Sequence, residues 1–233
     1  MALNIGSGIT IGGGISLDVG AAAAATSGSI RFTSSPSQYL SIPNNSAFTQ
    51  NQPFTIECWY YPTSTNSGYV WAMLQHNFLT CKWIGGQFQI DMSYVGYPPG
   101  YSAVGRTYAI NAWYHLAISW NGTNGWLFVN GVIEATFTGA GATVGDGNPF
   151  YIGQYQGQGQ PTPLGYISNF RVVNGSAVYT TTFTPPTSAL TAITNTQLLL
   201  NTTDDANFLK DSSTNNFTVT NVGSVTSSAL SPF

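Results

Sequence analysis

The segment from Asn111 to Val132 constrains the fold more than any other part of the chain. Side chains along Trp113–Trp120 alternate between the two faces of an extended run, and a turn cluster of Asn, Gly and Thr follows. A second run, Trp126–Val129, leads to the turn at Asn130-Gly131. Runs of period two that are rich in aromatic and β-branched residues and separated by Asn-Gly turns indicate β-hairpins. Two hairpins in succession predict a β-meander.

Similar short runs, separated by Gly, Asn and Pro, continue along the rest of the chain. The first two are expected to pair as a hairpin around Ser-Pro, Gly85-Gly86 is a good hairpin turn, and Val95–Tyr101 has the composition of a loop. Phe54–Tyr61 is apolar at both parities, which is typical of a central strand covered on both faces. We find no convincing amphipathic helix, so the pattern predicts a sandwich or barrel. The predicted strands are Ser29–Phe32, Tyr39–Ile42, Phe54–Tyr61, Tyr69–Leu74, Phe78–Trp83, Gln87–Met92, Ile133–Phe137, Pro149–Gly153, Leu164–Val173, Gln197–Leu200 and Phe217–Val222.

Charge is scarce in this chain. Only 6% of the 233 residues are charged, against roughly 25% in ordinary domains. A neutral polar surface suits an extracellular or virion protein packed against other subunits better than a cytosolic enzyme. The net charge of −3 and the five scattered Lys and Arg residues argue against nucleic-acid binding. No apolar run is long enough to span a membrane, and no signal peptide is recognisable.

Residues 1–28 differ from the rest of the chain. Apolar side chains alternate there with glycines and small polar residues, and a run of alanines follows. Glycine weakens an isolated strand, so we expect this Gly/Ala-rich arm to become ordered by docking on a sheet edge or a subunit. The alternative is a loose leader. The docking residues would be Ile5, Ile9, Ile11, Ile15 and Leu17.

Four blocks of the chain resemble laminin-G-like domains of the concanavalin A-like superfamily. They are SIRFTSSPSQYLSIP (Ser29–Pro43), FTIECWYYP (Phe54–Pro62), the block Trp113–Val132, and FYIGQ followed by GYISNFRVVNGSAVYTTTFTPP (Gly165–Pro186). The last block and the low charge are similar to versions found in bacteriophage structural proteins. The resemblance implies an all-β, concanavalin A-like jelly-roll β-sandwich of two antiparallel sheets, with an extended N-terminal arm.

We expect one such domain over residues 29–233. Its tail, residues 198–233, resembles what usually precedes the first block in these domains. It is therefore predicted to supply closing edge strands from the other end of the chain.

Catalysis is not expected. The retaining β-glucanases of the superfamily place two glutamates in one strand motif, one as nucleophile and one as acid/base. This chain has only Glu57 and Glu134, and neither stands in such a motif. Glu57 matches a position of the family at which the residue is expected to make structural hydrogen bonds. His115 likewise matches a family position at which the histidine ring has a structural role. Cys58 and Cys81 are expected to be buried free thiols.

Metal binding is the one cofactor question that the sequence raises. Many domains of this type bind calcium through Asp, Asn and backbone carbonyls. The candidates here are Asp146, Asp204 and Asp205, with Asp211 nearby, but acidic residues in loops more often form turns. No cofactor is therefore expected, and calcium stays open.

Two polar loops carry the contact candidates. Exposed tyrosines with glutamines nearby suit a glycan, and they suit a protein surface at least as well, because Tyr is favoured at interfaces. The candidates are Tyr94, Tyr97, Tyr101, Tyr155, Gln156 and Gln158.

The sequence therefore predicts a non-enzymatic virion structural protein, most of all a phage capsid decoration or cement protein or an appendage protein. It would be assembled in the host cytoplasm and would act through contacts with other virion proteins, such as capsid or appendage subunits, as a homo-oligomer. The alternative is a glycan-binding receptor module of a tail fibre or a secreted carbohydrate-binding or adhesin domain.

Overall fold

Two antiparallel sheets lie face to face in the computed structural model, which describes residues 28–33, 38–49, 51–73, 79–92, 101–138, 148–155, 162–203 and 205–233. These residues form short 3₁₀ turns at Ser46–Phe48 and Asp205–Asn207, and no α-helix. The fifteen strands of the described residues are β1 (Ser29–Phe32), β2 (Tyr39–Ile42), β3 (Phe54–Pro62), β4 (Gly68–Met73), β5 (Leu79–Ile84), β6 (Gln87–Met92), β7 (Tyr101–Thr107), β8 (Tyr114–Trp120), β9 (Asn124–Val129), β10 (Val132–Thr138), β11 (Phe150–Ile152), β12 (Gly165–Asn174), β13 (Thr196–Leu200), β14 (Thr220–Val222) and β15 (Thr226–Ser228).

The strands divide into a large and a small sheet. The large sheet has the order β10-β9-β8-β3-β12-β1-β15, and β13 also pairs with β12. The small sheet has the order β14-β2-β11-β4-β5-β6-β7. The predicted all-β sandwich of two antiparallel sheets is confirmed. Where the chain is described, no helix is long and apolar enough to cross a membrane.

Aromatic side chains fill the space between the sheets. Tyr60 of the large sheet packs against Trp83 and Phe88 of the small sheet, with ring centroids 6.1 and 6.2 Å apart. Phe150 and Phe170 meet across the same gap at 5.7 Å. All five side chains are buried, and each ring removes a large apolar area from water. The core therefore follows from the period-two alternation, because one parity of each strand faces inward.

The predicted meander and the predicted central strand are both confirmed. β8, β9 and β10 are consecutive neighbours in the large sheet, and β3 lies between β8 and β12. Phe54, Ile56, Cys58 and Tyr60 point from β3 into the core. The opposite parity of β3 also begins with buried residues, including Thr55 and Glu57, so both faces of this strand are covered there.

The hairpin predicted around Ser-Pro is wrong, although both of its strands are present. β1 pairs with β12 and β15 in the large sheet, while β2 pairs with β11 and β14 in the small sheet. Ile30 and Phe32 of β1 and Leu40 and Ile42 of β2 are all buried. Crossing from one sheet to the other lets the two strands cover the same core from opposite sides, which a local alternation pattern does not encode.

Some strands at the ends of the two sheets were not located individually in the sequence. β14 and β15 lie at one end of the small and the large sheet respectively, within the tail predicted to supply closing edge strands, whereas no strand was predicted at β7. Tyr101 was assigned to a loop but begins β7, whose sequence YSAVGRT contains few strong strand formers. The predicted arm, with Ile5, Ile9, Ile11, Ile15 and Leu17, lies outside the described residues.

The Asn130-Gly131 turn joins β9 to β10 and also holds a later part of the chain. Both residues have positive φ, 50° and 75°, as a two-residue hairpin turn of this type requires. The carbonyl of Gly131 accepts a hydrogen bond of 3.0 Å from the backbone N–H of Phe183. A Cβ atom on Gly131 would lie 1.9 Å from the Phe183 carbonyl oxygen.

We predict that Gly131→Ala destabilises the domain by about 2–4 kcal/mol, because the new Cβ combines a left-handed backbone with a steric clash. Gly85→Ala is the matched control, since Gly85 also has positive φ but has no atom within 4 Å of the added Cβ. Urea unfolding of the two variants measures the difference. Equal losses of stability in both would contradict the contact between the turn and Phe183.

Candidate functional site

The outer face of the large sheet contains a buried carboxylate with four hydrogen bonds. Glu57 of β3 accepts two of them from Arg171 of β12, at 2.9 Å from Nε and 2.5 Å from Nη2. His115 of β8 lies 3.1 Å from Oε2, and the hydroxyl of Tyr179 donates to the same oxygen at 2.9 Å. The side chains of Glu57 and His115 are 0% exposed. Three neighbouring strands and a later loop thus meet at one charge.

Residues 175–195, which we call the cover segment, lie over this carboxylate. Arg171 donates to the carbonyl of Thr191 at 2.8 Å, and the backbone N–H of Val178 donates to Thr55 Oγ1 at 2.8 Å. The rings of Tyr179 and Phe183 stack with centroids 3.7 Å apart, and Phe183 also packs against Phe128 at 5.2 Å. The cover segment therefore buries this part of the large sheet.

The electrostatics of the network are those of a structural ion pair. Burial alone would raise the pKa of Glu57, but the hydrogen bond from His115 and the charge of Arg171 outweigh it, and the pKa lies below 4.5. Burial, followed by the charge of Glu57, raises the pKa of Tyr179, which keeps its hydroxyl as a donor. Among the described residues, none forms a hydrogen bond with His115 Nδ1. These contacts hold the strands and the cover segment together around a fully buried carboxylate.

The outer face of the small sheet is different, because tyrosines and polar side chains share it. One row across the sheet is formed by Ser41, Tyr151, Ala72, Thr80 and Asp91, which are register partners from β2 to β6. Beside it, Tyr69 pairs with Lys82, and Lys82 pairs with Gln89. Tyr39 lies on the same parity of β2 as Ser41. We call this surface the tyrosine face and define it by Tyr39, Tyr69, Tyr151, Tyr155, Lys82, Gln89 and Asp91.

The four rings of the tyrosine face form two pairs. Tyr39 and Tyr151 meet edge to face with centroids 5.8 Å apart, and Tyr69 and Tyr155 stack at 5.1 Å. All four side chains are partly exposed. Each ring is thus fixed by a neighbour while part of its surface remains open to solvent. Such rings offer contact area at a low cost in side-chain entropy.

The polar part of the tyrosine face is organised around Asp91. Its carboxylate forms an ion pair with Lys82 and accepts a hydrogen bond of 2.6 Å from Gln89 Nε2. The Lys82 ammonium lies 4.9 Å from the ring centroid of Tyr69, so it also joins the polar group to the rings. Thr80 Oγ1, in the row beside Asp91, makes no hydrogen bond to another described residue.

The large sheet has its own group of half-buried rings at the end away from the cover segment. Tyr61 contacts Trp113 at 5.4 Å and Tyr166 at 5.7 Å, both edge to face, and the Arg31 guanidinium lies 6.0 Å from the Tyr166 ring centroid. A pocket of about 270 Å³ opens beside Arg31 and Tyr166. These rings pack edge to face against one another and beside a guanidinium group.

One contact candidate from the sequence lies on the tyrosine face. Tyr155 stacks there on Tyr69, and Tyr101 belongs to the neighbouring strand β7. Tyr94, Tyr97, Gln156 and Gln158 lie outside the described residues. Sequence reasoning missed Tyr39, Tyr69 and Tyr151, although each alternates with buried residues in its strand and could have been recognised from that parity.

Only one of the weak metal candidates lies in the part of the chain that the structure describes. Asp146 and Asp204 lie outside it, Asp205 begins a 3₁₀ turn, and the described residues contain no cluster of three metal-binding side chains. Asp211 is buried and accepts hydrogen bonds from the backbone of Leu199 and Ser213, so it acts as a turn former. Calcium binding stays a prediction.

Both cysteines are buried and free, as predicted. Burial raises the pKa values of Cys58 and Cys81 above the ordinary thiol range, so both remain neutral thiols. A reactive cysteine requires the opposite environment.

Family assignment follows from these features and from a sequence match. The family model described as concanavalin A-like lectin/glucanases superfamily, a laminin-G type, matches residues 33–181. The chain belongs to this superfamily. The matched range contains β3, β8 and β12, and therefore Glu57, His115, Arg171 and Tyr179, as well as the whole tyrosine face.

Solved structures share the fold at low sequence identity. A Bacteroides ovatus protein to which carbohydrate binding has been ascribed superposes with a TM-score of 0.54 at 13% identity, covering 86% of this chain and 61% of that one. The CBM40 module of a Ruminococcus gnavus sialidase, bound to α2,3-sialyllactose, gives 0.51 at 13% identity, covering 65% and 91%. Mouse laminin α1 domains LG4-5 give 0.48 at 14% identity, covering 69% and 47%. No curated protein sequence matches the chain.

We predict that Glu57→Gln lowers the free energy of unfolding by about 3 kcal/mol, because it leaves the buried Arg171 without its counter-charge. The melting temperature should fall by roughly 6–12 °C for a chain of this size. Glu134→Gln is the control, since its partner Arg106 is 65% exposed and can be solvated by water.

The pH dependence of stability provides a second readout of Glu57. A depressed carboxyl pKa contributes stability that is complete above the unfolded-state value, 4.5, and is lost as the pH falls below it. Calorimetry from pH 7 to pH 3 should therefore show a steeper acid loss in the unchanged protein than in Glu57→Gln. Parallel curves would contradict the ion pair.

Proposed function

We propose that this chain is a non-catalytic carbohydrate-binding domain whose ligand lies on the tyrosine face. The observation that carries the proposal is the presence, on one sheet face, of partly exposed tyrosine rings and a cluster of an ammonium, a carboxylate and an amide. A sugar ring has apolar C–H faces and a rim of hydroxyl groups. Aromatic faces complement the first, and charged or amide side chains complement the second, since each hydroxyl both donates and accepts.

The two outer faces of the sandwich favour this assignment. The cover segment occupies the large sheet over Glu57, where Tyr179 and Phe183 already stack on one another. On the small sheet the tyrosine rings are partly exposed, and the polar groups beside them lie deeper: Asp91 is buried and the Lys82 side chain is 18% exposed. The polar groups are held in place by Asp91, so little ordering is required when a ligand binds.

The comparisons support the proposal at the level of the fold. The Bacteroides ovatus protein and the sialidase module share this sandwich, and the second is known with a bound sugar. The virion role, the contacts with capsid or appendage subunits and the homo-oligomer stay predictions. Among the functions predicted from the sequence, the secreted carbohydrate-binding or adhesin domain agrees with these structural neighbours.

We predict that the purified protein binds glycans on an array, and that Tyr69→Ala weakens the best ligand by roughly 5–30-fold, the range for truncating an aromatic hot spot. Loss of the ring removes the stacking partner of Tyr155 and the neighbour of Lys82. Isothermal titration calorimetry measures the change.

Tyr166→Ala is the matched control, because this partly exposed tyrosine lies on the outer face of the large sheet. Its affinity should equal that of the unchanged protein. An array without any bound glycan would overturn the proposal, and a loss of affinity in Tyr166→Ala alone would move the site to the other sheet.

A further inference from the structure

We propose that the tyrosine face selects uncharged glycans and discriminates against acidic ones such as sialylated or uronic-acid glycans. The inference rests on the proposed function and adds the ligand class. It follows from the way in which the one cation on this face is already neutralised.

Lys82 is this cation, and its charge is already paired within the protein. It forms an ion pair with Asp91, and its ammonium lies beside the Tyr69 ring. Burial lowers the pKa of Lys82, but the hydrogen bond and the charge of Asp91 outweigh it and raise the pKa overall. Lys82 therefore stays protonated, and the pair contributes no net charge to the face.

The rest of the chain has few cations to add. It contains five Lys and Arg residues in total, so the other four can be placed one by one. Arg171 is buried with Glu57, Arg106 pairs with Glu134 at 2.9 Å, Arg31 lies over Tyr166 on the large sheet, and Lys210 belongs to the tail after β13, where its backbone N–H donates to Asn207.

An acidic sugar would therefore lose hydration without gaining a charge-assisted partner. Recognition of a carboxylate normally uses Arg or Lys donors, which give stronger hydrogen bonds than neutral groups. On the tyrosine face the one cation, Lys82, is already paired with Asp91, and the protein has a net charge of −3. Hydroxyl groups carry no such penalty, because they are uncharged and can both donate and accept hydrogen bonds.

The experiment compares matched glycans on the unchanged protein. The best neutral ligand from the array is titrated by calorimetry beside its sialylated counterpart, at low and at high sodium chloride. We expect the neutral glycan to bind at least roughly fivefold more tightly, because the acidic glycan loses hydration of its carboxylate without gaining a charged partner. Its affinity should be insensitive to salt, since no net ionic contact forms.

The outcomes separate the two proposals. Tighter binding of the acidic glycan, or equal binding of both, overturns this inference and leaves the proposed function intact. Absence of binding to every glycan overturns the proposed function, and the inference with it.

A variant that removes the counter-ion of Lys82 should change the preference between neutral and acidic glycans. Asp91→Asn leaves Lys82 without its counter-ion, so the preference for the neutral glycan should fall or reverse, and binding of the acidic glycan should become salt-dependent. Asp205→Asn is the control, since it changes the net charge equally in the tail. An unchanged preference in a folded Asp91→Asn protein would overturn the role of the pair, and the salt series on the unchanged protein decides the matter if that variant does not fold.

Discussion

A buried carboxylate is the point at which the sandwich is tied together. Glu57 joins three adjacent strands of the large sheet through His115 and Arg171, and it fixes the cover segment through Tyr179. A charge in a dry interior is tolerated only when all its partners are in place. The strands and the cover segment therefore have to assemble in one arrangement, and the low charge of the chain makes this cluster a large share of its ionic interactions.

The network also determines which surface remains available. Because the cover segment is bound over Glu57 and packs edge to face against Phe128, that part of the large sheet is buried. The small sheet keeps a face with partly exposed tyrosines, where Asp91 organises the polar groups in the way that Glu57 does on the other side. Glu57 thus holds the cover segment over the large sheet, and Asp91 fixes the polar side chains on the outer face of the small sheet.

Much of this architecture could be predicted from the sequence, because the alternation of side chains is local. Phe54–Pro62 as a central strand and the meander around Asn130-Gly131 both follow from it. The partners of a strand are not local, however: β1 and β2 have the same pattern and belong to different sheets. For the same reason the sequence suggested a structural role for Glu57 without indicating Arg171 or Tyr179 as its partners. It pointed to Tyr155 but missed the tyrosines inside strands.

The pairing of the first strand with the last has a consequence for how such a unit can be used. Ser29 of β1 lies opposite Ser228 of β15, so the start of the first described strand and the end of the last lie side by side. A domain whose two ends lie close together can be inserted into a surface loop of another protein, or circularly permuted, with little disturbance of the fold. The same sandwich is therefore suited to insertion as a domain into proteins of different architecture.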